Sequence, residues 1–296
     1  MVVSFARGVL SGTFNIESGF DGSTVYLIGT LNWGMSPSHR ITQRGPFQDG
    51  DSDIDFRLDP RVLSLPFMAP ASDIDSHFNL RNKLLKFFSP GNDTAQLQVL
   101  WDGNVQSRIL EVKVVGGLTM DTDSKDYNVR GVIQLRAADP TWYDPTASSY
   151  QLTSTLFGTP TPYPKTYPVP YGADSVNKVT VVNLTSTWIT YPVITAYGPL
   201  TDLTISDTRG STIRFSTAIP AGTYVIINLK YGFKSAIDQA GVNRFAWLNI
   251  DSDIVDFALY PPSLIADGIN TISVSATGTT VDSRVVMDFL PRYIGV

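Results

Sequence analysis

Only one stretch of this 296-residue chain carries helical spacing; the rest is short alternating runs cut by turn-forming residues. That contrast points to a mainly-β protein built from many short strands. The spacing predicts a helix with Ser72 as N-cap and with Asp73 and Asp75 in the first turn, where carboxylates suit the helix dipole. Pro90-Gly91-Asn92 should stop it. Ile74, Phe78, Leu85 and Phe88 recur at near-helical intervals with Leu84 on the same side, so Phe78, Leu84, Leu85 and Phe88 are expected to pack on a small sheet. Strands are expected at 2–10, 24–28, 54–58, 62–67, 96–101, 107–115 and 127–137.

Just before the helix lies Arg44 to Arg61, RGPFQDGDSDIDFRLDPR, with three arginines and five aspartates in eighteen residues. Asp49-Gly50-Asp51 reads as a turn, because Asp side chains bond their own backbone and Gly tolerates unusual dihedrals. Ile54, Phe56 and Leu58 then alternate with Asp53, Asp55 and Arg57, as in a half-buried strand. Asp59-Pro60 ends it, since Pro donates nothing to a ladder. Opposed charges at this density suit a surface that meets its complement on a neighbouring subunit.

From Asp139 to Tyr171 the composition changes. Seven prolines (140, 145, 160, 162, 164, 168 and 170) interleave with Trp142, Tyr143, Tyr150, Tyr163 and Tyr167. Such a segment favours extended backbone over sheet or helix interiors and reads as a stiff, packed connection over 146–175. Beyond it the chain alternates throughout, with turns at Tyr197-Gly198-Pro199, Arg209-Gly210, Pro220-Ala221-Gly222, Ala240-Gly241 and Asp267-Gly268. Strands at intervals of about eight to twelve residues indicate a sandwich or barrel. Two domains are expected, 1–145 and 176–296. The first is more densely charged, with 13 Lys+Arg and 17 Asp+Glu in residues 1–145 against 9 and 10 in the remainder.

The totals exclude several chemistries. There is no cysteine, hence no disulfide or thiolate metal site, and a net charge of −5 argues against gripping phosphates. No run reaches the roughly eighteen apolar residues of a spanning helix, and no secretory leader is expected at the start. His39 and His77 are the only histidines; His39 is expected in a loop and His77 as a surface or packing residue. The Asp49, Asp51, Asp53 and Asp55 run fails as a calcium loop, because counting from Asp51 puts Phe56 where Gly is required and Val62 where Glu is required. Asp121, Asp123 and Asp126 form no better site, nor do Asp251, Asp253 and Asp256. Glu17 and Glu111, the only glutamates, lie in no distinctive context. No catalytic, cofactor or metal residue is assigned.

The runs Arg44 to Asp51 and Arg57-Leu58-Asp59-Pro60-Arg61, the Arg81 to Leu85 helix ending at Ser89-Pro90-Gly91, and Asp139 to Asp144 together resemble the first domain of distal tail proteins of long-tailed bacteriophages. Asp267 to Ile272 and Phe289 to Tyr293 extend the resemblance to the second half. It implies a small-sheet or split-barrel ring domain with one helix, then a galectin-like β-sandwich. It further implies a homo-hexameric ring at the distal end of the tail tube, touching the tube protein and the hub or tip protein. The sandwich would dock receptor-binding or baseplate proteins, and DNA would only transit the lumen. Such a protein belongs to the virion, is made in the host cytoplasm, and has no catalysis, cofactor or membrane insertion. No extra carbohydrate-binding insertion is evident. Within a ring, Arg44, Arg57, Arg61 and Arg81 are candidates to pair with Asp51, Asp55 or Asp59 of the next protomer, since the guanidinium fork meets carboxylates bidentately. The plainer reading is intrachain surface bridges worth about 0–1 kcal/mol. The alternative function is a host-surface carbohydrate-binding module, with Trp188, Tyr197 and Trp247 as a candidate glycan or partner surface; the plainer role for these rings is core packing.

Overall fold

The computed structural model describes residues 2–7, 10–15, 26–29, 32–100, 107–121, 127–153, 175–230, 232–280 and 282–296. Most of the Pro/aromatic connection (154–174) lies outside the described residues, as do Glu17, Asp123 and Asp126. The chain divides into one unit of residues 1–145 with 293–296, and another of residues 146–292.

In the first unit the strands are β1 (Val2–Arg7), β2 (Leu10–Asn15), β3 (Tyr26–Leu27), β4 (Ser38–Gln43), β5 (Ser52–Leu58), β6 (Arg61–Ala69), β7 (Ala95–Leu100), β8 (Ser107–Val114), β9 (Thr119–Asp121), β10 (Val129–Ala137) and β11 (Trp142–Tyr143), with helix α1 (Ile74–Phe87) between β6 and β7. The main antiparallel sheet runs β2-β1-β7-β8-β10-β6-β3, with β9 added on β10 and β11 on β8. Alternation decides which residues face inward: Leu63, Leu65, Phe67 and Ala69 of β6 and Ile133, Leu135 and Ala137 of β10 are all buried. They share one core with Phe5, Leu97, Val99, Leu110, Val112 and Trp142. Trp142 and Tyr143, read from sequence near the start of the connection, are therefore part of this unit's packing, and the Tyr143 hydroxyl donates to Asp139.

Helix α1 covers this core, but not with the expected face. Its N-cap is Asp73 rather than Ser72: the Asp73 carboxylate accepts from Ser76 N at 2.7 Å, and the Asp73 backbone N–H donates to Ser76 Oγ. The buried residues are His77, Leu80, Leu84 and Phe87, with Phe88 just beyond the helix. Phe78 and Leu85, expected inside, are 51% and 42% exposed. His77 is a packing residue whose Nδ1 lies 2.8 Å from the Tyr127 carbonyl.

The second unit begins inside the expected connection: β12 (Ser148–Gln151) pairs with β20 (Arg284–Phe289). Between them run β13 (Ser175–Asn183), β14 (Val193–Tyr197), β15 (Thr201–Ser206), β16 (Thr212–Arg214), β17 (Tyr224–Asn228), β18 (Ser235–Asp238) and β19 (Ile269–Thr277). One sheet has the order β12-β20-β14-β17-β18 and the other β13-β19-β15-β16. Their inward residues, among them Ile194, Val225, Val285 and Met287 from the first and Leu203, Ile205, Ile272 and Val274 from the second, form one core. Two antiparallel sheets sharing one apolar layer make a β-sandwich.

Candidate functional site

The segment 32–61 is the most exceptional part of the first unit. Among the described residues, strands β4 and β5 pair only with each other, from Ser38↔Leu58 to Gln43↔Ser52, with a register shift between Ile41 and Thr42. His39 thus lies in a strand, not a loop. The alternation of Ile54 and Phe56 was expected to mark half-burial. Instead both are largely exposed, at 60% and 48%, and Phe47 at the hairpin tip is fully exposed. The pattern does build an apolar row, and that row is largely exposed rather than half-buried. The hairpin is an arm: a two-stranded ribbon whose residues are exposed along nearly its whole length.

Short polar contacts give the arm its form. At the tip, Arg44 Nε donates to the Gln48 carbonyl at 3.3 Å, and Gln48 Nε2 donates to Ser52 Oγ at 2.7 Å. Gly50 adopts φ +76°, a conformation that a side chain would strain. Across the ribbon Arg40 pairs with Asp53 at 3.3 Å. Arg57 reaches Asp59 of its own chain at 3.9 Å with both groups exposed, a contact worth about 0–1 kcal/mol. Asp55 accepts from the adjacent Phe56 N, and Asp51 is exposed. Arg44, Asp51, Asp55, Arg57 and Asp59 thus all belong to the arm or its base, while Arg81 sits apart on α1.

Arg61 must be reassigned. It is fully buried, and its guanidinium donates to four main-chain carbonyls: Pro140 at 3.0 Å, Asn32 at 2.8 Å, Gly34 at 2.6 Å and Ile294 at 2.7 Å. Burial lowers its pKa from the ordinary arginine value. Four of its five N–H groups are engaged and the side chain is fully buried, so Arg61 is a clasp within the unit. It fastens the loop entering the arm to the strand leaving it. Ser36 Oγ donating to the Asp59 carbonyl at 3.0 Å and Asp59 N donating to the Pro37 carbonyl at 2.8 Å close the same base.

A second exposed apolar feature lies on α1. Ile74, Phe78 and Leu85 form a stripe on the side away from Leu80 and Leu84. Arg81 falls on the same stripe, since residues three or four apart on a helix are neighbours.

The three ring-bearing residues singled out in the second unit do not share one surface. Trp188 is half-buried, and its backbone N–H donates to the Arg292 carbonyl. Trp247 packs against the sandwich core with the Arg244 guanidinium 4.6 Å from its ring centre. Tyr197 alone opens on a cleft of about 410 Å³, lined by Gln151, Gly198, Gly222, Thr223, Tyr224, Asp282 and Arg284. Among the described residues, no group of three or more His, Cys, Asp or Glu side chains converges.

The phage tail protein RIFT-related domain family matches residues 20–97, the span holding the arm, β6 and α1. No curated protein matches by sequence. Among solved structures, the Dit protein of phage SPP1, described as a paradigm of the hub adsorption apparatus in phages infecting Gram-positive hosts, superposes with a TM-score of 0.66 at 12% identity over 99% of both chains. A chain of the phage P2 baseplate in its activated conformation with calcium gives 0.44 at 11% identity, covering 97% of this chain and 98% of that one. The similarity to distal tail proteins read from the sequence therefore stands on two legs: residues 20–97 match the phage tail protein RIFT-related domain family, and the whole chain has the fold of the SPP1 Dit protein.

Proposed function

We propose that this protein is a ring-forming structural component of a phage tail, an adaptor at the distal end of the tail tube with no catalytic role. The arm carries the reading. A two-stranded ribbon is marginal in water unless its apolar row is covered, and here the row comprises Ile54, Phe56 and the tip Phe47. A copy of the same unit is the economical cover. One arm laid on the next protomer is a head-to-tail contact, and head-to-tail contacts that close about a rotation axis make rings. Arg44, Asp51, Asp55, Arg57 and Asp59, strung along that arm and its base, would set the register between copies, with Arg81 and the exposed stripe of α1 as the receiving face.

In this reading six copies close the ring, the tube protein and the hub or tip protein stack on it, and DNA passes through the lumen. The second unit is a galectin-like sandwich that docks receptor-binding or baseplate proteins. The test is native mass spectrometry of the full chain, alone and with the tube protein. A species six times the 32.4 kDa chain is expected, and Phe47→Asp with Phe56→Asp should abolish it while leaving the melting temperature unchanged. A wild-type protein that remains monomeric at high concentration and beside the tube protein overturns the proposal.

A further inference from the structure

Two Asp-Gly pairs fall among the described residues: Asp49-Gly50 at the tip of the arm and Asp267-Gly268 at the entry to β19. This dipeptide has a chemistry of its own. The main-chain nitrogen that follows an aspartate can attack that aspartate's Cγ, and glycine shields this nitrogen least because it has no Cβ.

At the tip of the arm both reacting groups are open. Asp49 and Gly50 are exposed, and both precede β5, which starts at Ser52, so neither is held in the ladder. Among the described residues the Gly50 N–H has no hydrogen-bond acceptor. Around Gly50 no atom approaches the position a Cβ would take, which leaves the main chain room to swing. The second pair is the opposite case. Gly268 is buried, its N–H donates to the Ile265 carbonyl at 3.3 Å, and its carbonyl accepts from Leu184 N at 2.9 Å and from Asn270 Nδ2 at 3.0 Å. A Cβ on Gly268 would stand 2.3 Å from the Leu184 carbonyl oxygen, so the main chain is gripped from both sides. The other arm aspartates are poorer candidates. Asp51 precedes Ser52, already in the ladder opposite Gln43, while Asp53 and Asp55 precede the bulky Ile54 and Phe56 inside β5.

We propose that Asp49 is a modification site, converting spontaneously to isoaspartate in the folded protein. The Gly50 nitrogen bonds to Asp49 Cγ while the carboxyl hydroxyl departs with the amide hydrogen as one water, closing a five-membered succinimide. One water then adds back. If the bond from nitrogen to Cγ breaks, aspartate is restored. If the bond from nitrogen to the main-chain carbonyl carbon breaks, the chain runs on through the former side chain. No oxidant, reductant or second reactant is needed. Mass is unchanged, but the main chain is longer by one carbon between Gln48 and Ser52, whose side chains are bonded at 2.7 Å. The turn that presents Phe47 is altered with it. The inference does not depend on ring assembly.

The experiment holds the full chain at neutral pH and physiological temperature and samples it over weeks. Trypsin, cutting after Arg44 and Arg57, releases residues 45–57 as one peptide. Electron-transfer fragmentation then separates isoaspartate from aspartate at each position. Isoaspartate is expected at Asp49 at least about tenfold faster than at Asp267 or Asp51 of the same samples, a ratio for which about 1.4 kcal/mol of barrier suffices. A proteinase that cuts before aspartate should lose its cut between Gln48 and Asp49 in step. Asp49→Glu, which would have to close a slower six-membered ring, should remove the signal at this position. An Asp49 that stays unmodified, that reacts only once the chain is unfolded in denaturant, or that reacts no faster than Asp267 overturns the proposal.

Discussion

Replacing Arg61 with Met measures the clasp at the base of the arm. Methionine fills much of the same volume but donates nothing, so the carbonyls of Asn32, Gly34, Pro140 and Ile294 each lose a charged donor in a buried setting. At about 1 kcal/mol for each, the loss is about 4 kcal/mol, and relief of the guanidinium's own desolvation brings the expected net to about 3 kcal/mol. For a unit of this size about 2–4 °C of midpoint accompanies each kcal/mol, so its transition should fall by about 6–12 °C. Differential scanning calorimetry of the full chain, wild type against variant, reads this. Arg61→Lys keeps the charge but cannot span four carbonyls with one ammonium, and should recover about half the loss. Below the lowered transition the proposed assembly should survive in both variants, because Arg61 is buried within its own unit. A Met variant within about 1 kcal/mol of wild type, or a folded variant that has lost only its assembly, would refute the reasoning.

Two further substitutions separate the faces of α1. Leu84→Ala, at a fully buried position, should cost about 2–5 kcal/mol of first-unit stability by chemical denaturation, whereas Phe78→Glu on the exposed stripe should stay within about 0.5 kcal/mol and lower only the assembled fraction in native mass spectra. In the second unit the Asp207 carboxyl is buried and accepts from the backbone N–H groups of Arg209 and Ser211 at 2.9 Å, yet burial pushes its pKa above the ordinary carboxylate value. An acid held more firmly protonated when folded stabilises most below its unfolded pKa of about 3.9, and this contribution is lost as pH rises through the folded value. Asp207→Asn should therefore flatten the decline in sandwich stability above about pH 4. Parallel melting-temperature profiles for wild type and variant would contradict that assignment.

Strand positions were largely legible because alternation and turn residues act locally: 107–115 was expected and Ser107–Val114 observed, and 62–67 proved to be the middle of Arg61–Ala69. What the sequence hid was what covers each face. Helix α1 carries two apolar stripes, one through His77, Leu80 and Leu84 and one through Ile74, Phe78 and Leu85, and periodicity alone does not say which meets the sheet. Strand β4 was missed because Ser36-Pro37-Ser38 reads as a loop. Arg61 looked like a surface charge because arginine is almost never fully buried. Its parity held the clue, since it is in phase with the inward Leu63, Leu65 and Phe67 of the same strand. The cleft was half visible: Tyr197 stood out, but Tyr224 and Arg284 join it only through pairing register across strands distant in the chain.

The clasp also sets an order of events during synthesis. Ile294 lies 233 residues after Arg61, so a ribosome must finish the whole intervening excursion before the guanidinium receives its fourth carbonyl. Residues 146–292 are contiguous and can condense as soon as they emerge, whereas the Arg61 clasp holds three of its four carbonyls until the chain comes back with Ile294. The base of a nascent arm is thus fully fastened only after the whole of the second unit has been made.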